Sequence, residues 1–564
     1  MNLKSRGNGF VSSTWIIRYG RATMLYDSKT RICKQLLESL LFERILPFTE
    51  MIVGMKNRFT FHIKDSEVTV EGKRGPFDRI RLDIKTLRSS KSSGVNDWFE
   101  YLLTQLPISD DFQEELRRTH DFDDLSQQHR LRIHRAGLDY EELEETIIEG
   151  HPYHPCYKSR IGFSRADHVA YGPEAGNRFQ LHWIALPSTL VQGNGILPIP
   201  LILGEPLLHI FLVKLEELNQ TDYQILPVHP WQWLRIKQEV AQVGGVDLGE
   251  GGVFVQATQS IRTVFCPGQP ELPHIKLPLD LKQTSAVRTF SVPNVVAAPA
   301  VSDWLEKKAN ELPVTLLSEF ASCVGSSGPL AGRVGCVFRE NVLTYAQPDE
   351  QVIPLTALAQ IEVDGRHFLG PWLERYGHER WLRRFFVVYL EPVIRLVIEK
   401  GIGMEAHAQN TLLVLRDGWP ERIILRDFHD SVEFVTELLD DPSDVPDFKR
   451  LHPDFDAPLN TYYEMSHPLA LRELLYDTLF VYHLTELAYQ LELTENLNEA
   501  TFFDWMHQTI EGLPIDRDRL ERIGWYEQRV TAEALLAPRF GLTNQIDVKN
   551  SLVQRGEEDN HAMD

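Results

Sequence analysis

The chain has 564 residues, of which 43% are hydrophobic and 24% are charged, so it is a sizeable globular protein with several subdomains. Its 80 acidic against 58 basic residues give a formal charge of −22, which disfavours a nucleic-acid partner because gripping a phosphate backbone requires a basic surface. Five scattered cysteines without metal-type spacing fit a reducing cytoplasm, and we expect neither a signal peptide nor a transmembrane helix.

Hydrophobic periodicity predicts the following elements in chain order. A helix from Thr30 to Leu46 follows a leader that we expect to be poorly ordered. Alternating residues from Phe59 to Lys73 predict a β-hairpin, and the acidic pattern from Trp98 to Ile148 predicts helices with solvated faces. From Gly150 to Ala300 short β-like segments carry most of the polar motifs.

The C-terminal half contains two long helical patterns. Residues 370–400 predict a helix bent at Pro392 and ended by Gly401, and residues 468–491 predict another. We expect the polar tail from Gln545 to Asp564 to be frayed.

The segment Ser260–Arg288 concentrates cations. Residues 260–264 and 274–279 predict two strands joined by a turn rich in proline and glycine, and the simplest interpretation is a hairpin. If that hairpin is symmetric, Arg262 lies opposite Lys276, which is destabilising for like charges unless a polyanion lies between them. The segment therefore favours a site for nucleotide phosphates or a polycarboxylate, and the alternative is that both side chains point to water.

A second polar loop has the sequence GHPYHPCYKSR and spans residues 150–160. His151 and His154 are spaced so that they could bind a metal, but the prolines oppose a helix, and the cations Lys158 and Arg160 would repel a metal ion. Binding of an anion by this loop is the favoured interpretation, with a structural histidine and a surface lysine as the alternative.

Residues 401–431 predict a second hairpin around the turn dipeptide Asp417-Gly418. We expect its two strands to bring together four polar residues: Glu405, His407 and Gln409 on the first strand and Asp427 on the second. Two of them are carboxylates that suit Mg²⁺, and the imidazole can act as an acid, a base or an oxyanion partner near neutral pH. Taken singly, each residue could equally be an ordinary polar residue of a hairpin.

Taken together, the motifs resemble those of the IucA/IucC-like siderophore synthetases, which act independently of non-ribosomal peptide synthetases. Six stretches occur in that family's order over about residues 30–540: GHPYHPCYKSRIGFS, LPVHPWQW, SIRT, HIKLPL followed by TSAVRT, EAHAQN and RDFHDS. The resemblance implies ATP-dependent activation of a carboxylate, typically of citrate, as an acyl-adenylate. Attack by an amine, hydroxylamine or alcohol would then give an amide or ester.

The resemblance also implies roles for individual residues. The contacts to ATP would come from Ser260, Arg262, Lys276, Gln409, Asn410 and Asp427. The ligands of Mg²⁺ would be Glu405 and Asp427. The reacting carboxylate would be held, and its developing charge stabilised, by Thr284, Arg288 and His407. Further substrate binding would come from the anion-binding loop with His154, Lys158 and Arg160.

The fold implied by the resemblance is of the mixed α+β class, a cupped hand of fingers, palm and thumb with a kinase-like hairpin in the palm. The expected regions are a leader (1–29), N-terminal fingers (30–149), a central ATP- and carboxylate-binding region (150–370), a C-terminal palm hairpin with helices (371–545) and a polar tail (546–564). We expect a cytoplasmic homodimer that acts on small molecules, without a membrane or nucleic-acid partner.

Two other functions compete with this interpretation. A kinase-like small-molecule phosphotransferase would also use His407, Asn410 and Asp427, but the chain lacks a glycine-rich loop followed by a strand lysine. A ferric-siderophore binding or reductase protein is the other alternative. A reductase would be expected to carry clustered C-terminal cysteines, yet none follows Cys336.

Overall fold

The computed structural model describes residues 27–90, 97–128, 134–284 and 286–553. The fold is of the mixed α+β class, as predicted, with helices around mainly antiparallel sheets. The predicted leader lies almost wholly outside the described residues, and so does the end of the predicted tail. Within the described ranges, no helix is long and apolar enough to cross a membrane.

The N-terminal region packs helices against a four-stranded antiparallel sheet in the order β1-β2-β3-β4. Its elements are α1 (Ser28–Phe42), β1 (Phe48–Val53), β2 (Lys56–Ile63), β3 (Ser66–Arg74), β4 (Ile80–Ser89), α2 (Trp98–Gln105), α3 (Asp110–Gln128) and α4 (Tyr140–Thr146). The Asp27 side chain caps α1 by accepting a hydrogen bond from the Thr30 amide. The predicted helix, hairpin and helical stretch are all present here, although α1 ends at Phe42.

The central region is built on an eight-stranded sheet with the order β6-β14-β15-β10-β9-β8-β5-β7. The first elements of the region are α5 (Arg165–Tyr171), β5 (Phe179–Pro187), β6 (Val191–Asn194), α6 (Ile199–Leu203), α7 (Glu205–Glu217), β7 (Tyr223–Val228), α8 (Pro230–Gln242) and β8 (Val246–Ala257). The rest are β9 (Thr263–Phe265), β10 (His274–Lys276), β11 (Leu279–Gln283), β12 (Ala286–Arg288), α9 (Val292–Ala309), β13 (Val314–Leu316), β14 (Glu319–Gly325), β15 (Gly335–Arg339) and β16 (Glu350–Pro354).

The C-terminal region contains the predicted palm hairpin and most of the long helices. Its helices are α10 (Gly370–Tyr376), α11 (His378–Lys400), α12 (Phe448–Leu451), α13 (Pro468–Leu475), α14 (Thr485–Glu495), α15 (Glu499–Glu511) and α16 (Arg517–Arg522). Its strands are β17 (Ile402–Met404), β18 (Thr411–Arg416), β19 (Trp419–Leu425), β20 (Val432–Phe434), β21 (Arg529–Glu533) and β22 (Gln545–Lys549). Strands β18 and β19 pair antiparallel around Asp417 and Gly418, both with positive φ, which confirms the predicted turn.

Three features of this region differ from the sequence predictions. The helical pattern of residues 370–400 breaks at Gly377, whose φ of 82° ends α10, whereas Pro392 lies within the continuous α11. The predicted helix of residues 468–491 contains a π-helical segment from Tyr476 to Leu484 between α13 and α14. The predicted frayed tail begins instead as β22, which pairs with β21.

Candidate active site

One large cavity, of about 2010 Å³, is lined by all three regions. The central region contributes the turn before β9 and residues of β10 to β12. The C-terminal region contributes the loop between β17 and β18, the segment after β19, and the π-helical segment. The N-terminal region contributes α1 and Arg81. All predicted site residues except His154 line this cavity.

The cationic wall differs in detail from the predicted hairpin. Strand β9 begins only at Thr263, because Ile261 has a φ of 69° and turns the chain before the strand starts. Lys276 therefore pairs with Thr263, and the prediction that it lies directly opposite Arg262 is wrong. The two cations still converge, since Arg262 Nη2 and Lys276 Nζ each lie 3.9 Å from Asp430 Oδ2.

Ser260 lies in the turn that precedes β9. Its hydroxyl accepts a hydrogen bond from the Thr263 amide at 3.2 Å and contacts Thr258 Oγ1 at 3.1 Å. Residue 260 is therefore not part of the strand that was predicted to contain it, but the turn still places it on the cavity wall beside Arg262.

Behind this wall lies a buried charge network that sequence reasoning missed. Lys276 forms an ion pair with Asp427, and its Nζ lies 3.3 Å from His429 Nε2. His429 also contacts Asp430 at 3.1 Å and Glu319 at 3.0 Å. Burial would lower the pKa of His429, but the two carboxylates raise it to about 9, so the ring is protonated at neutral pH. His429 and Asp430 belong to the RDFHDS motif, whereas no sequence signal pointed to Glu319.

The segment Glu405–Asn410 is a loop between β17 and β18, so the prediction that three of its residues share one face of a strand is wrong. The reason is that β17 pairs with β20, whereas β18 pairs with β19 and β16, so the chain changes sheets here. The backbone amide of Arg426 donates to Asn410 O at 3.0 Å, which places Asp427 beside Gln409 as expected. The Asn410 side chain donates to Glu405 O at 3.2 Å and closes the loop.

His407 is fixed in one orientation by this loop. Its Nδ1 accepts hydrogen bonds from the amides of Gln409 at 3.2 Å and Asn410 at 3.3 Å. Burial lowers the pKa of His407 to about 4, so the ring is neutral and carries its proton on Nε2. This Nε2–H lies 3.8 Å from Glu405 Oε2 and is available as a hydrogen-bond donor in the cavity.

Glu405 is close to two further carboxylates. Burial, together with the charges of Asp427 and Asp430, raises the pKa of Glu405 to about 7. Its side chain is 43% accessible and lines the cavity. A cation bound in the cavity would relieve the repulsion among these three acids.

The short β11–β12 hairpin positions Thr284 and Arg288. Arg288 Nη2 donates to Gln283 O at 3.2 Å and to Thr284 Oγ1 at 3.1 Å. Burial and the nearby Arg262 guanidinium lower the pKa of Arg288 to about 10, and the residue remains charged at neutral pH. Thr284 and Arg288 thus form a polar pair on the cavity wall.

The GHPYHPCYKSR loop is buried more deeply than its composition suggested. Lys158 Nζ contacts Asp123 at 3.0 Å, and Arg160 makes a bidentate pair with Glu174 at 2.6 and 2.9 Å. His154 is 3% exposed and lies off the cavity wall. The two cations are therefore neutralised inside the protein, and direct anion binding by this loop stays a prediction.

The third wall comes from a part of the chain for which no site residue was predicted. Arg79 Nη1 donates to Val481 O within the π-helical segment at 2.8 Å, and Arg81 Nη2 donates to Thr485 O, at the start of α14, at 3.0 Å, so arginines next to and within β4 contact the C-terminal end of this segment. π-Helical segments often occur at functional sites, and this one presents Asp477, Tyr482 and His483 to the cavity.

Known proteins match nearly the whole chain. Citryl-spermidine/3,4-dihydroxybenzoyl-citryl-spermidine:spermidine ligase of Bacillus anthracis is 32% identical over 556 residues, covering 91% of this chain and 90% of the relative. The chain belongs to the IucA/IucC family of siderophore synthetases. The IucA/IucC family model itself matches residues 139–360, and the resemblance drawn from the six motifs is confirmed.

Solved structures agree with this family. The petrobactin biosynthesis protein AsbB of Bacillus anthracis matches with a TM-score of 0.85 at 30% identity, over 93% of this chain and 95% of that chain. The aerobactin synthetase IucC of Klebsiella pneumoniae matches with a TM-score of 0.78 over 93% of this chain and 97% of that chain, and at 23% identity it supports the fold alone.

A second family model, described as a ferric iron reductase FhuF-like transporter, matches residues 379–554 of this IucA/IucC family member. This range contains the palm hairpin, the π-helical segment and β21. Cys336 is the last cysteine of the sequence, so the matched range has no thiolate that could hold an iron–sulfur cluster. The match therefore adds a fold relationship for the C-terminal region, and its cavity-lining residues belong to the same site as those of the central region.

Proposed function

We propose that this siderophore synthetase uses ATP to adenylate a carboxylate of citrate or a related polycarboxylate and condenses it with an amine, hydroxylamine or alcohol. The observation that supports this most strongly is the convergence of cations, carboxylates and a neutral imidazole in one cavity. Adenylation requires two anions, the carboxylate and the α-phosphate, to meet, and fixed cations offset their repulsion. The names of the relatives, among them a citryl-spermidine ligase, agree with amide formation on citrate.

In this proposal the cationic wall binds the nucleotide. Arg262 is the cation best placed for phosphate, because its one ion pair among the described residues is the long contact to Asp430. The remaining nucleotide contacts would come from Ser260, Lys276, Gln409, Asn410 and Asp427. A structural relative, the aerobactin synthetase IucA of Klebsiella pneumoniae, has an ATP-bound structure, which agrees with nucleotide use by this fold.

The donor set fits Mg²⁺ at Glu405 and Asp427. Both carboxylates line the cavity, and hard oxygen ligands of this kind are those that Mg²⁺ prefers. Glu319, Asp427 and His429 also form a cluster of possible ligands, but His429 is protonated and both Glu319 oxygens contact it. When bound, Mg²⁺ would shield phosphate charge.

The chain's own residues would then act in two steps. In the first, Thr284 and Arg288 hold the carboxylate while one of its oxygens attacks the α-phosphorus and pyrophosphate leaves. In the second, the nucleophile attacks the acyl carbon and AMP leaves, while the Nε2–H of His407 and the Arg288 guanidinium stabilise the negative charge that develops on the carbonyl oxygen. His407 suits this role because its Nδ1 is already occupied as an acceptor.

Product analysis tests the proposal. The protein would be incubated with ATP, Mg²⁺, a panel of polycarboxylates and a panel of amines, and the products would be detected by mass. We expect AMP, pyrophosphate and an amide, with Asp427→Ala as a control against contaminating enzymes. Release of ADP would indicate the phosphotransferase, and binding or reduction of a ferric siderophore without use of ATP would indicate the other alternative. A cytoplasmic location and a homodimer stay predictions of the same proposal.

A further inference from the structure

One wall of the cavity carries carboxylates without a cationic partner. Asp477, on the π-helical segment, and Glu533, at the end of β21, both line the cavity. The backbone amide of Glu533 donates hydrogen bonds to the two carboxylate oxygens of Asp477 at 3.1 and 3.0 Å. The backbone of Glu533 therefore lies next to the Asp477 carboxylate. Neither carboxylate forms an ion pair with a lysine, arginine or histidine in the part of the chain that the structure describes.

The environment of these acids favours a cationic ligand. Burial, and then the neighbouring charge of Glu533, raises the pKa of Asp477 well above its usual range, and burial raises the pKa of Glu533. Asp477 is half-buried and Glu533 is the more accessible of the two, and a bound ammonium group would offset the cost of holding two carboxylates side by side in the cavity. This wall is therefore the electrostatic opposite of the wall that contains Arg262 and Arg288.

His483, on the same π-helical segment as Asp477, adds an independent observation. It lines the cavity, is 5% exposed, and has no hydrogen-bond partner at Nε2 among the described residues. Tyr389 Oη donates its single proton to Ala406 O at 2.7 Å, so His483 Nδ1 must donate to Tyr389 Oη at 2.9 Å. Burial lowers the pKa of His483 to about 3, so the ring is neutral at pH 7 and its one proton is on Nδ1. Nε2 is therefore a hydrogen-bond acceptor without a donor among the described residues, and an N–H group of a ligand would satisfy it.

Apolar groups lie among these polar atoms. Leu474, Tyr482 and Leu535 line the cavity and lie close in the chain to Asp477 or Glu533. A wall that combines carboxylates with apolar side chains matches a ligand in which ammonium groups are separated by methylene segments.

The acidic wall also adjoins the reacting groups. The Tyr389 hydroxyl that contacts His483 bonds to Ala406, which lies between Glu405 and His407 in the chain. An amine held on this wall would therefore approach the loop that we assign to the reacting carboxylate.

We propose that Asp477, Glu533 and His483 form the subsite for the nucleophile, and that this nucleophile is a diamine or polyamine without a carboxylate of its own. One ammonium group would rest on the two carboxylates while the attacking amine points towards His407. An amino acid would place its carboxylate against Asp477 and Glu533, and this repulsion selects against it. The inference rests on the proposed function and specifies its second substrate.

The test uses the full chain, citrate, ATP and two probe nucleophiles, spermidine and 2,3-diaminopropanoate. We expect a higher kcat/KM for spermidine, and we expect Asp477→Asn and Glu533→Gln each to raise KM for spermidine at least about tenfold, as for removal of a partner from a partly buried charge contact. Citrate-dependent exchange of labelled pyrophosphate into ATP, which needs no amine, shows whether each variant is folded. Asp504→Asn is the matched control, because this exposed carboxylate lies on α15 and does not line the cavity, and its KM for spermidine should change less than about twofold.

Two results would overturn the subsite alone: a preference of the wild type for 2,3-diaminopropanoate, or an unchanged KM for spermidine in both variants that retain exchange. If one of the two variants, Asp477→Asn or Glu533→Gln, loses pyrophosphate exchange, the KM for spermidine of the other variant still tests the subsite. Absence of citrate-dependent exchange in the wild type would instead overturn the proposed function, and the inference with it.

Discussion

Two pairs of cations in this molecule look alike in sequence but occupy different environments. Lys158 and Arg160 contact the buried acids Asp123 and Glu174 at 3.0 Å or less. Arg262 lines the same cavity as these two residues, but its closest carboxylate lies 3.9 Å away. A cation that already has a close buried partner stabilises the fold, whereas one with a distant partner can bind a substrate anion.

Lys276 lies between these extremes. It forms an ion pair with Asp427, yet it also lies on the cavity wall and 3.9 Å from Asp430. A phosphate oxygen entering the cavity could share this ammonium group with Asp427. The comparison therefore predicts that replacing Arg160 mainly affects stability, and that replacing Arg262 or Lys276 mainly affects catalysis.

The largest expected effect is on stability. Arg160→Ala leaves the buried Glu174 without its bidentate partner and should lower the free energy of unfolding by about 3–5 kcal/mol. Urea denaturation followed by tryptophan fluorescence measures this change. If the free energy of unfolding falls by less than about 1 kcal/mol while activity is strongly reduced, Arg160 belongs to the substrate site. The distinction between stabilising and substrate-binding cations would then be wrong.

The next effect concerns the cavity cations. Arg262→Ala and Lys276→Ala should each cost about 2–4 kcal/mol of transition-state stabilisation, as expected for removal of a preorganised charge-stabilising donor. The readout is carboxylate-dependent pyrophosphate release by variants whose melting curves resemble that of the wild type. Lys282→Ala is a suitable control, because Lys282 pairs with Glu115 and does not line the cavity. Near wild-type rates in both variants would contradict the assignment.

A third prediction separates activation and transfer from nucleotide binding. His407→Ala should reduce kcat/KM for the acid about 100-fold or more, because it removes a donor to the developing charge. Its affinity for ATP should stay nearly unchanged, since the nucleotide contacts are assigned elsewhere. Calorimetry beside the product assay decides this, and a loss of ATP affinity that matches the loss of activity would place His407 in the nucleotide site.

The smallest expected effect concerns the metal. Asp427→Asn keeps the shape of the side chain but removes an anionic oxygen ligand, and the Mg²⁺ concentration for half-maximal activity should rise about tenfold. Glu405→Gln should shift the same titration less. An unchanged Mg²⁺ titration for Asp427→Asn would mean that this carboxylate serves only its ion pair with Lys276.

The sequence predicted best those features that depend on local chemistry. The Asp417-Gly418 turn was found because two residues with positive φ require such a dipeptide. Together with a register shift between Val414 and Leu415, which the sequence did not indicate, this turn puts Asp427 beside Gln409. The turn at Ile261 was missed because a β-branched residue with a positive φ contradicts every local preference. That single residue shifted the register of β9 against the prediction.

Features that depend on contacts between residues far apart in the chain could not be predicted from the sequence. The π-helical segment has an ordinary helical pattern, and its Val481 carbonyl accepts a hydrogen bond from Arg79, which lies 402 positions earlier in the chain. The acidic wall likewise forms only when β21 brings Glu533 to Asp477. The cationic motifs of the sequence therefore indicated an anionic substrate, whereas the site that we infer for the amine could be found only in the structure.

Isotope transfer tests the central claim most directly. Citrate labelled with ¹⁸O in its carboxylates would be incubated with ATP and spermidine, and the nucleotide products would be analysed by mass. If a carboxylate oxygen attacks the α-phosphorus, each AMP must carry one ¹⁸O atom and the pyrophosphate none. Unlabelled AMP, or label found in inorganic phosphate together with ADP, would contradict adenylation.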